Sequence, residues 1–264
     1  MGGNAGDDWA EIKQAFADAG YRIFYRLLDA ADYGVPQFRE RMIIVGTKDV
    51  NYSFPKPTHG PDSINAIPYY TAGHALQNCV LTDEDLQQKV TGSHGHLLNN
   101  IPPGLNYSFY TEKLGHPQPI FAWRSKFSDY LYKADPQKPI RTLKAQGGQY
   151  TGPFHWDNRK FSISELKRLQ TFPDSYPVVG KRNVAIHQIG NSVAPQMARI
   201  LALSILEQIF QLRIPVKLHY LQPHEELGFK KRKRSFSKEY AQKAQEAIDQ
   251  ITKDNIILPV LQNK

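Results

Sequence analysis

The chain has 264 residues, of which 41% are hydrophobic, so it can form one large domain or two smaller ones with packed cores. Its single cysteine, Cys79, excludes an internal disulfide and argues against a zinc site. The sequence contains no run of 18 apolar residues, so it predicts no transmembrane helix. Its first residues lack the basic and apolar regions of a signal peptide. We therefore expect a soluble, cytoplasmic protein that binds no metal.

Positive charge is concentrated in the second half of the chain. The net charge is +8, counted as Lys and Arg against Asp and Glu. Residues 1–50 and 51–137 carry −2 and −1, whereas residues 138–214 and 215–264 carry +7 and +4. This distribution fits a polyanionic partner, of which nucleic acid is the commonest. A basic, solvated surface explains the charge equally well, so both interpretations stay open.

The first 50 residues predict a helix followed by two strands. Residues 8–19 carry apolar side chains at helical spacing, and Gly20 is a typical stop. Residues 21–30 and 41–47 are rich in aromatic and β-branched side chains, which favour strands.

Gln37, Arg39 and Arg41 alternate just before the second predicted strand. In an extended chain, alternate side chains point the same way, so one amide and two guanidinium groups would project together. Such a cluster can hold an anion or the polar edge of a planar ligand, because guanidinium offers a rigid fork of donors. A solvated strand end is the simpler alternative.

Residues 51–137 are rich in Pro, Gly, Asn, Tyr and His and predict a loop-rich insertion or a small irregular domain. Residues 123–126 (Trp-Arg-Ser-Lys) are the most suggestive of contacts to base edges, although Trp123 could equally belong to a core. His94 and His96 lack further metal ligands nearby, so we interpret them as loop histidines.

Regular structure returns after residue 160. Ser162 or Ser164 can cap a helix over SELKRLQTF, and a longer helix is predicted for residues 194–212. Between them, Gly190 predicts a tight turn, and the short polar side chains that follow would lie at the start of the longer helix.

The tail, residues 213–264, carries the basic run KKRKR at 230–234 and an amphipathic stretch over 237–252. It could be a basic arm on a phosphate backbone or a contact to a partner chain. A solvated, partly disordered end is the interpretation we favour, since basic runs near chain ends are common.

Three segments, in this order, resemble conserved motifs of the DNA cytosine-5 methyltransferases. YGVPQFRERMIIVG resembles the eighth motif of that family. The ninth is similar to PIRTLKAQGG (139–148) with RKFSISELKRLQTFPDSYPVVG (159–180), and the tenth to IHQIGNSVAPQMARILALSIL (186–206). The match in order is specific and covers residues 8–212.

The resemblance implies an α/β fold, with a partial Rossmann-like methyltransferase domain and a smaller, irregular, mainly β target-recognition domain. Residues 1–50 would end the catalytic domain with two strands, and residues 51–137 would form the target-recognition domain. Residues 138–212 would return to the catalytic domain, and residues 213–264 would be a basic C-terminal tail.

Other motifs of the family do not occur in this sequence. Full-length members bind S-adenosylmethionine through a Phe-x-Gly-x-Gly segment, carry a nucleophilic cysteine in Pro-Cys-Gln and hold the cytosine ring with Glu-Asn-Val. Cys79 lies in QNCVL and does not match. The chain therefore looks like the C-terminal part of a methyltransferase, from which the catalytic nucleophile is absent.

The resemblance also implies roles for particular residues. Arg41 would donate to O2 of a cytosine flipped out of the duplex, while Gln37 and Arg39 would shape the wall of the target-base pocket. The S-adenosylmethionine pocket would be lined by Asn191, Ser192 and Val193, for which an ordinary helix cap is the local alternative.

Possible DNA contacts are Arg124, Lys126, Arg141 and Arg159. For Arg141 and Arg159, together with Thr142, structural support of the recognition domain is the interpretation we favour.

The implied partners are double-stranded DNA and a second polypeptide with the N-terminal motifs. The implied setting is a bacterial restriction–modification system, with S-adenosylmethionine as cofactor and no membrane. One alternative is an inactive DNA-binding remnant of a truncated methyltransferase gene. An RNA-directed relative is a second alternative, which the long recognition region argues against.

Overall fold

The computed structural model describes residues 5–222 and 238–253, which form a mixed α/β protein. The helices and strands follow in chain order: α1 Ala5–Asp18, β1 Arg22–Asp29, β2 Gln37–Phe38, β3 Glu40–Thr47, α2 Ala72–Ala75, α3 Asp83–Leu86, β4 Ile140–Arg141, α4 Ile163–Leu169, α5 Arg182–Asn191, α6 Pro195–Gln208 and α7 Lys238–Lys253. No described helix is both long and apolar enough to cross a membrane.

Strands β1 and β3 form an antiparallel pair, as the sequence predicts. Their register runs from Arg22 opposite Thr47 to Asp29 opposite Glu40. One face of the pair packs on α6, and the other lies under α1, where the rings of Trp9 and Tyr25 meet edge to face with centroids 4.6 Å apart. The core on the α6 side contains Leu28, Val45, Tyr52, Phe54, Met197, Ile200 and Leu201.

The chain changes sheet between β2 and β3. Strand β2 pairs in parallel with β4, with Gln37 opposite Ile140, whereas β3 pairs with β1. Arg39 lies at this change, and its main-chain N–H donates to Oδ1 of Asp29 at 2.9 Å. Alternation along one strand therefore does not extend from residue 37 to residue 41.

Residues 51–137 are irregular, as predicted, but they are not mainly β. Their regular elements are α2, α3 and short 3-10 helices, and their extended stretches make isolated bridges such as Tyr130 with Thr151. Nine of the 18 prolines fall in this region. Because proline has no N–H to donate to a strand ladder, such a sequence disfavours continuous sheet.

Helix α7 packs onto residues 51–137, which corrects the expectation of a solvated end for this part of the tail. Ala244 and Ile248 are buried in a core with Leu105, Tyr107 and Phe109. Apolar side chains at helical spacing explain this docking, since they bury best against another apolar surface. The basic run at 230–234 lies outside the described residues.

Helices α4, α5 and α6 form the regular structure of residues 163–208. Ser162 caps α4 by accepting from the N–H of Glu165, whose carboxylate accepts the N–H of Ser162 in return. This is the capping box that the Ser-x-x-Glu spacing favours. Helix α6 is shorter than predicted, but it begins with Pro195 at its first turn, where the missing N–H has no consequence.

Candidate functional site

Gln37 and Gln170 form a buried bridge between the segments that resemble the eighth and ninth motifs. Nε2 of Gln37 donates to Oε1 of Gln170 at 2.5 Å, and Oε1 of Gln37 accepts the main-chain N–H of Leu143 at 2.9 Å. Neither glutamine side chain reaches solvent. Both polar atoms of the Gln37 side chain are therefore bonded inside the protein, and the side chain does not face a ligand.

Arg39 links the same segments to the α5–α6 connection. Its Nη1 donates to the carbonyl of Leu143 at 3.3 Å, and its Nη2 donates to the carbonyls of Gly190 at 2.7 Å and Ser192 at 3.3 Å. Burial lowers the pKa of this guanidinium, and the nearby charge of Arg41 lowers the pKa further. Three carbonyl acceptors offset the desolvation of the buried cation.

Arg41 lies at the surface. Its side chain is exposed, and Nη1 donates to the adjacent carbonyl of Glu40 at 2.6 Å. Of the three alternating residues, the structure thus buries Gln37 and Arg39 and leaves Arg41 in solvent. The prediction of three free donors at a strand edge is therefore wrong for Gln37 and Arg39, whose polar groups bond to atoms of the protein, and stays a prediction for Arg41.

Asn191, Ser192 and Val193 lie between α5 and α6 rather than at the start of a helix. Asn191 ends α5, and Ser192 follows it as the C-cap. Gly190 is inside α5, where it does not make the predicted tight turn. A Cβ added there would lie 2.5 Å from the main-chain nitrogen of Ala145, so glycine is needed for close packing.

Hydrogen bonds to Gln170 and Ile189 fix the α5–α6 connection, whereas Asn191 and Val193 are exposed to solvent. Nε2 of Gln170 donates to both the carbonyl and Oγ of Ser192, at 3.0 and 3.1 Å, and that hydroxyl donates to the carbonyl of Ile189 at 2.7 Å. Asn191 is exposed and lies within 3.3 Å of the ring nitrogens of His187. Val193 is 59% exposed. A rigid main chain thus presents one amide and one apolar side chain to solvent.

The sequence predicts a helix over SELKRLQTF, but the bridging role of Gln170 at the end of this helix was not predicted. The available signal is an amide directly after the buried Leu169 at the end of an apolar helix face. A buried amide must find hydrogen-bond partners, so its position predicts a bridging residue even without knowledge of the partners.

Residues 123–126 are exposed, so Trp123 is not part of a core. The indole is 39% exposed, and Nζ of Lys113 lies 3.5 Å from its ring centroid. The hydroxyl of Tyr107 donates to the carbonyl of Arg124 and accepts its main-chain N–H, at 2.8 and 2.7 Å. The main chain of this segment is held in place, while Arg124 and Lys126 extend into solvent.

Arg159 belongs to the interior. Its guanidinium makes two bonds of 2.7 Å to the carboxylate of Glu165, and both side chains are buried. His155 packs beside Glu165, and burial lowers the pKa of this imidazole to about 4. The prediction that Arg159 contacts DNA is therefore wrong, whereas the favoured structural role fits.

Arg141 is half-buried and makes several contacts within the protein. It donates to the carbonyl of Ser128, lies 3.7 Å from the carboxylate of Asp129 and stacks 3.9 Å from the ring centroid of Tyr132. These contacts join β4 to the recognition region. Thr142 adds a bond from its hydroxyl to the carbonyl of Phe38 at 2.8 Å.

Cys79 is not placed for nucleophilic catalysis. It follows α2 in the recognition region, and burial raises the pKa of its thiol, the opposite of what an activated thiolate requires. The described residues contain no group of His, Cys, Asp and Glu that could hold a metal ion. Nδ1 of His94 lies 2.5 Å from the hydroxyl of Tyr130, as suits a loop histidine.

The described chain is thus a mixed α/β protein in which residues 191–193 form a wall toward solvent, fixed from behind by Gln37, Arg39 and Gln170. Arg41, two residues beyond Arg39, is exposed. A family model described as C-5 cytosine-specific DNA methylase matches residues 1–207. The chain belongs to this family, as its motifs predict, and has the mixed α/β class expected for it.

Two curated relatives illustrate the similarity. Type II methyltransferase M.SacI of Streptomyces achromogenes is 36% identical over 210 residues, covering 73% of this chain and 53% of the relative. Type II methyltransferase M.NgoFVII of Neisseria gonorrhoeae is 35% identical over 202 residues, covering 74% and 53%. The chain therefore spans about half the length of these relatives.

A solved structure, that of the S. pombe Dnmt2 methyltransferase, aligns with a TM-score of 0.42 at 14% identity. The alignment covers 77% of this chain and 61% of that chain.

Proposed function

We propose that this chain forms the C-terminal part of a DNA cytosine-5-methyltransferase. The enzyme would transfer a methyl group from S-adenosylmethionine to C5 of cytosine in specific duplex DNA, within a restriction–modification system. Family membership and relatives named as type II methyltransferases support this assignment.

The observation that carries the proposal is the division of labour among Gln37, Arg39 and Arg41. The first two are bonded inside the protein and fix residues 190–192, and the guanidinium of Arg41, two residues beyond Arg39, is exposed. A planar cation with several donors suits O2 of a cytosine that has left the duplex. Arg41 would hold and orient the base and keep water from its carbonyl.

The residues at the α5–α6 connection fit one side of a cofactor pocket. S-adenosylmethionine combines apolar and polar groups, and Val193 with Asn191 offers an apolar and a polar contact on a fixed main chain. When bound, the cofactor supplies an electrophilic methyl group on a sulfonium. Asn191, Ser192 and Val193 would bind and orient the cofactor, without taking part in bond making.

The covalent chemistry requires a thiolate at C6 of the cytosine, and we propose that a second polypeptide supplies it with the N-terminal motifs. Exposed apolar side chains around the β1–β3 pair support such a partner. Met42 is 54% exposed and Tyr25 is 48% exposed. Within the described residues each of these strands pairs on one edge, and an open edge with apolar neighbours is a surface that pairs readily.

The exposed segment 123–126 is the proposed reader of the DNA sequence. Arg124 and Lys126 extend from a main chain that Tyr107 fixes, beside the exposed ring of Trp123. Guanidinium and aromatic groups on a fixed support suit base-edge and stacking contacts.

A methyl-transfer assay with tritiated S-adenosylmethionine and duplex DNA tests the proposal. This chain would be assayed alone and together with a separately expressed polypeptide that carries the N-terminal motifs, such as the part of M.SacI that this chain does not match. We expect transfer in the mixture only. Arg41→Ala should abolish it, while Arg213→Ala, at an exposed arginine outside the wall, should not.

Methyl transfer by this chain alone would contradict the inference that the chain lacks the catalytic nucleophile. DNA binding by this chain without transfer in any mixture would favour the alternative function, an inactive DNA-binding remnant.

A further inference from the structure

A basic cleft lies between the loop that follows β4 and the first turn of α5. Its volume is about 270 Å³. Of the described residues that line it, Lys144, Lys160 and Arg182 carry positive charge, and none carries a carboxylate. Three cations around one concavity make it attractive to an anion.

The polar main chain and amides of the cleft suit the oxygens of an anion. Gly147 and Gly148 bring main chain to the surface without side chains, and Gln149 and Asn183 add carboxamides. A Cβ on Gly147 would lie 3.0 Å from Cβ of Thr151, so the loop is closely folded at that point. Glycine-rich loops followed by polar donors are typical of anion cradles.

Two of the three cations, Lys144 and Arg182, bond to groups of the protein. Nζ of Lys144 pairs with Asp129 at 2.6 Å, and Nη2 of Arg182 donates to the carbonyl of Phe161. Burial lowers the pKa of Arg182, whereas Asp85 and Glu165 raise it from outside the cleft. A bound anion would offset the desolvation of this guanidinium.

Side-chain contacts connect the cleft to the segment that carries the proposed sequence reader and to the proposed base wall. Asp129, the partner of Lys144, follows the exposed segment 123–126 by three residues. On the other side, the loop begins at Leu143 and α5 ends at Asn191, just beyond Gly190, and Arg39 binds the carbonyls of Leu143 and Gly190. Arg39 therefore ties both segments that line the cleft to the start of the wall.

We propose that this cleft binds backbone phosphodiester groups of the DNA strand next to the target base. The inference rests on the proposed function and deepens it, because it gives the non-specific part of DNA binding a location. Phosphate contacts fix the register of a protein on the duplex, while other residues read its bases. The Lys160 ammonium and the Arg182 guanidinium would contact phosphate oxygens.

The test is the salt dependence of binding to a labelled random-sequence duplex, measured by fluorescence anisotropy. Each phosphate contact contributes about 0.9 to the slope of log affinity against log salt. We expect Lys160→Gln to lower that slope by about 1. Lys217→Gln removes an exposed cation that does not line the cleft, and it should leave the slope unchanged.

Equal slopes for Lys160→Gln and Lys217→Gln would overturn the inference and leave the proposed function standing. Absence of DNA binding by the unmodified chain would instead count against the proposed function itself. Calorimetry with pyrophosphate separates DNA backbone from a free phosphate ligand. Pyrophosphate binding that is lost in Lys160→Gln, with unchanged duplex binding, would assign the cleft to a free anion and overturn the proposal.

Discussion

At the scale of single residues, the candidate site depends on polar groups that never meet a ligand. Arg39 satisfies carbonyl oxygens from two distant segments, and Gln170 holds Ser192 from behind. Leu143 and Gly190 are buried, so their carbonyl oxygens need a protein donor. The position of the exposed Arg41 therefore depends on the buried bonds that hold Arg39, two residues earlier in the chain.

Arg39→Met tests this support role. The change leaves the carbonyls of Leu143 and Gly190 without donors, and we expect the free energy of unfolding to fall by about 2–4 kcal/mol. Arg41→Met is the matched control, since its side chain is exposed and should alter stability by about 0.5 kcal/mol or less. Urea unfolding of both variants provides the measurement. Equal unfolding midpoints for the two variants would show that Arg39 does not stabilise the protein in this way.

At the scale of elements, α7 is the unexpected part. The family model ends at residue 207, yet α7 completes a core of the recognition region. The hydroxyl of Tyr240 donates to Oδ1 of Asn106 at 2.8 Å, and Nδ2 of Asn106 donates to the carbonyl of Ser128. Nζ of Lys243 pairs with Asp135 at 3.1 Å. Through Asn106, the helix supports the end of the exposed segment that we propose reads DNA.

Ala244→Glu and Ala241→Glu make a matched pair within α7. Ala244 is fully buried against the recognition region and Ala241 is exposed, while both substitutions change helix propensity equally. A carboxylate at position 244 would be buried without a partner, so we expect α7 to detach and a loss of about 3 kcal/mol or more.

Limited proteolysis within α7 and thermal unfolding measure the effect. The Ala241→Glu variant should behave like the unmodified chain. Similar protection of both variants would mean that α7 does not depend on this contact.

At the scale of the whole molecule, two surfaces of the described chain differ in chemistry. The cleft is lined by Lys144, Lys160 and Arg182, and the β1–β3 pair carries the exposed apolar side chains of Met42 and Tyr25. Water solvates the first surface readily, whereas the second gains free energy when another protein covers it.

Met42→Glu tests whether the β1–β3 pair is the assembly surface. Since Met42 is 54% exposed, the substitution should change stability by about 0.5 kcal/mol or less, but a charge on an open strand should weaken pairing with another chain. We expect at least a tenfold loss, about 1.4 kcal/mol, in affinity for the polypeptide with the N-terminal motifs, measured by analytical ultracentrifugation.

Val80→Glu provides the comparison, because Val80 is 85% exposed in the recognition region. Equal affinities for the two variants would move the assembly surface elsewhere.

Local sequence by itself determined the elements whose causes are local. The paired strands follow from runs of aromatic and β-branched residues, and the start of α4 follows from Ser162 with Glu165 three positions later. The family followed from three motifs in order, which identify chemistry without coordinates.

The tertiary structure alone decided which motif residues face solvent and which support them. Gln37 meets Gln170 across 133 positions of sequence, and Arg39 meets Gly190 across 151. Alternation predicted three free donors, but Gln37 and Arg39 are used in bonds to distant segments, and only Arg41 is exposed. Pairing and docking of this kind, including that of α7, arise from long-range contacts that a local pattern does not contain.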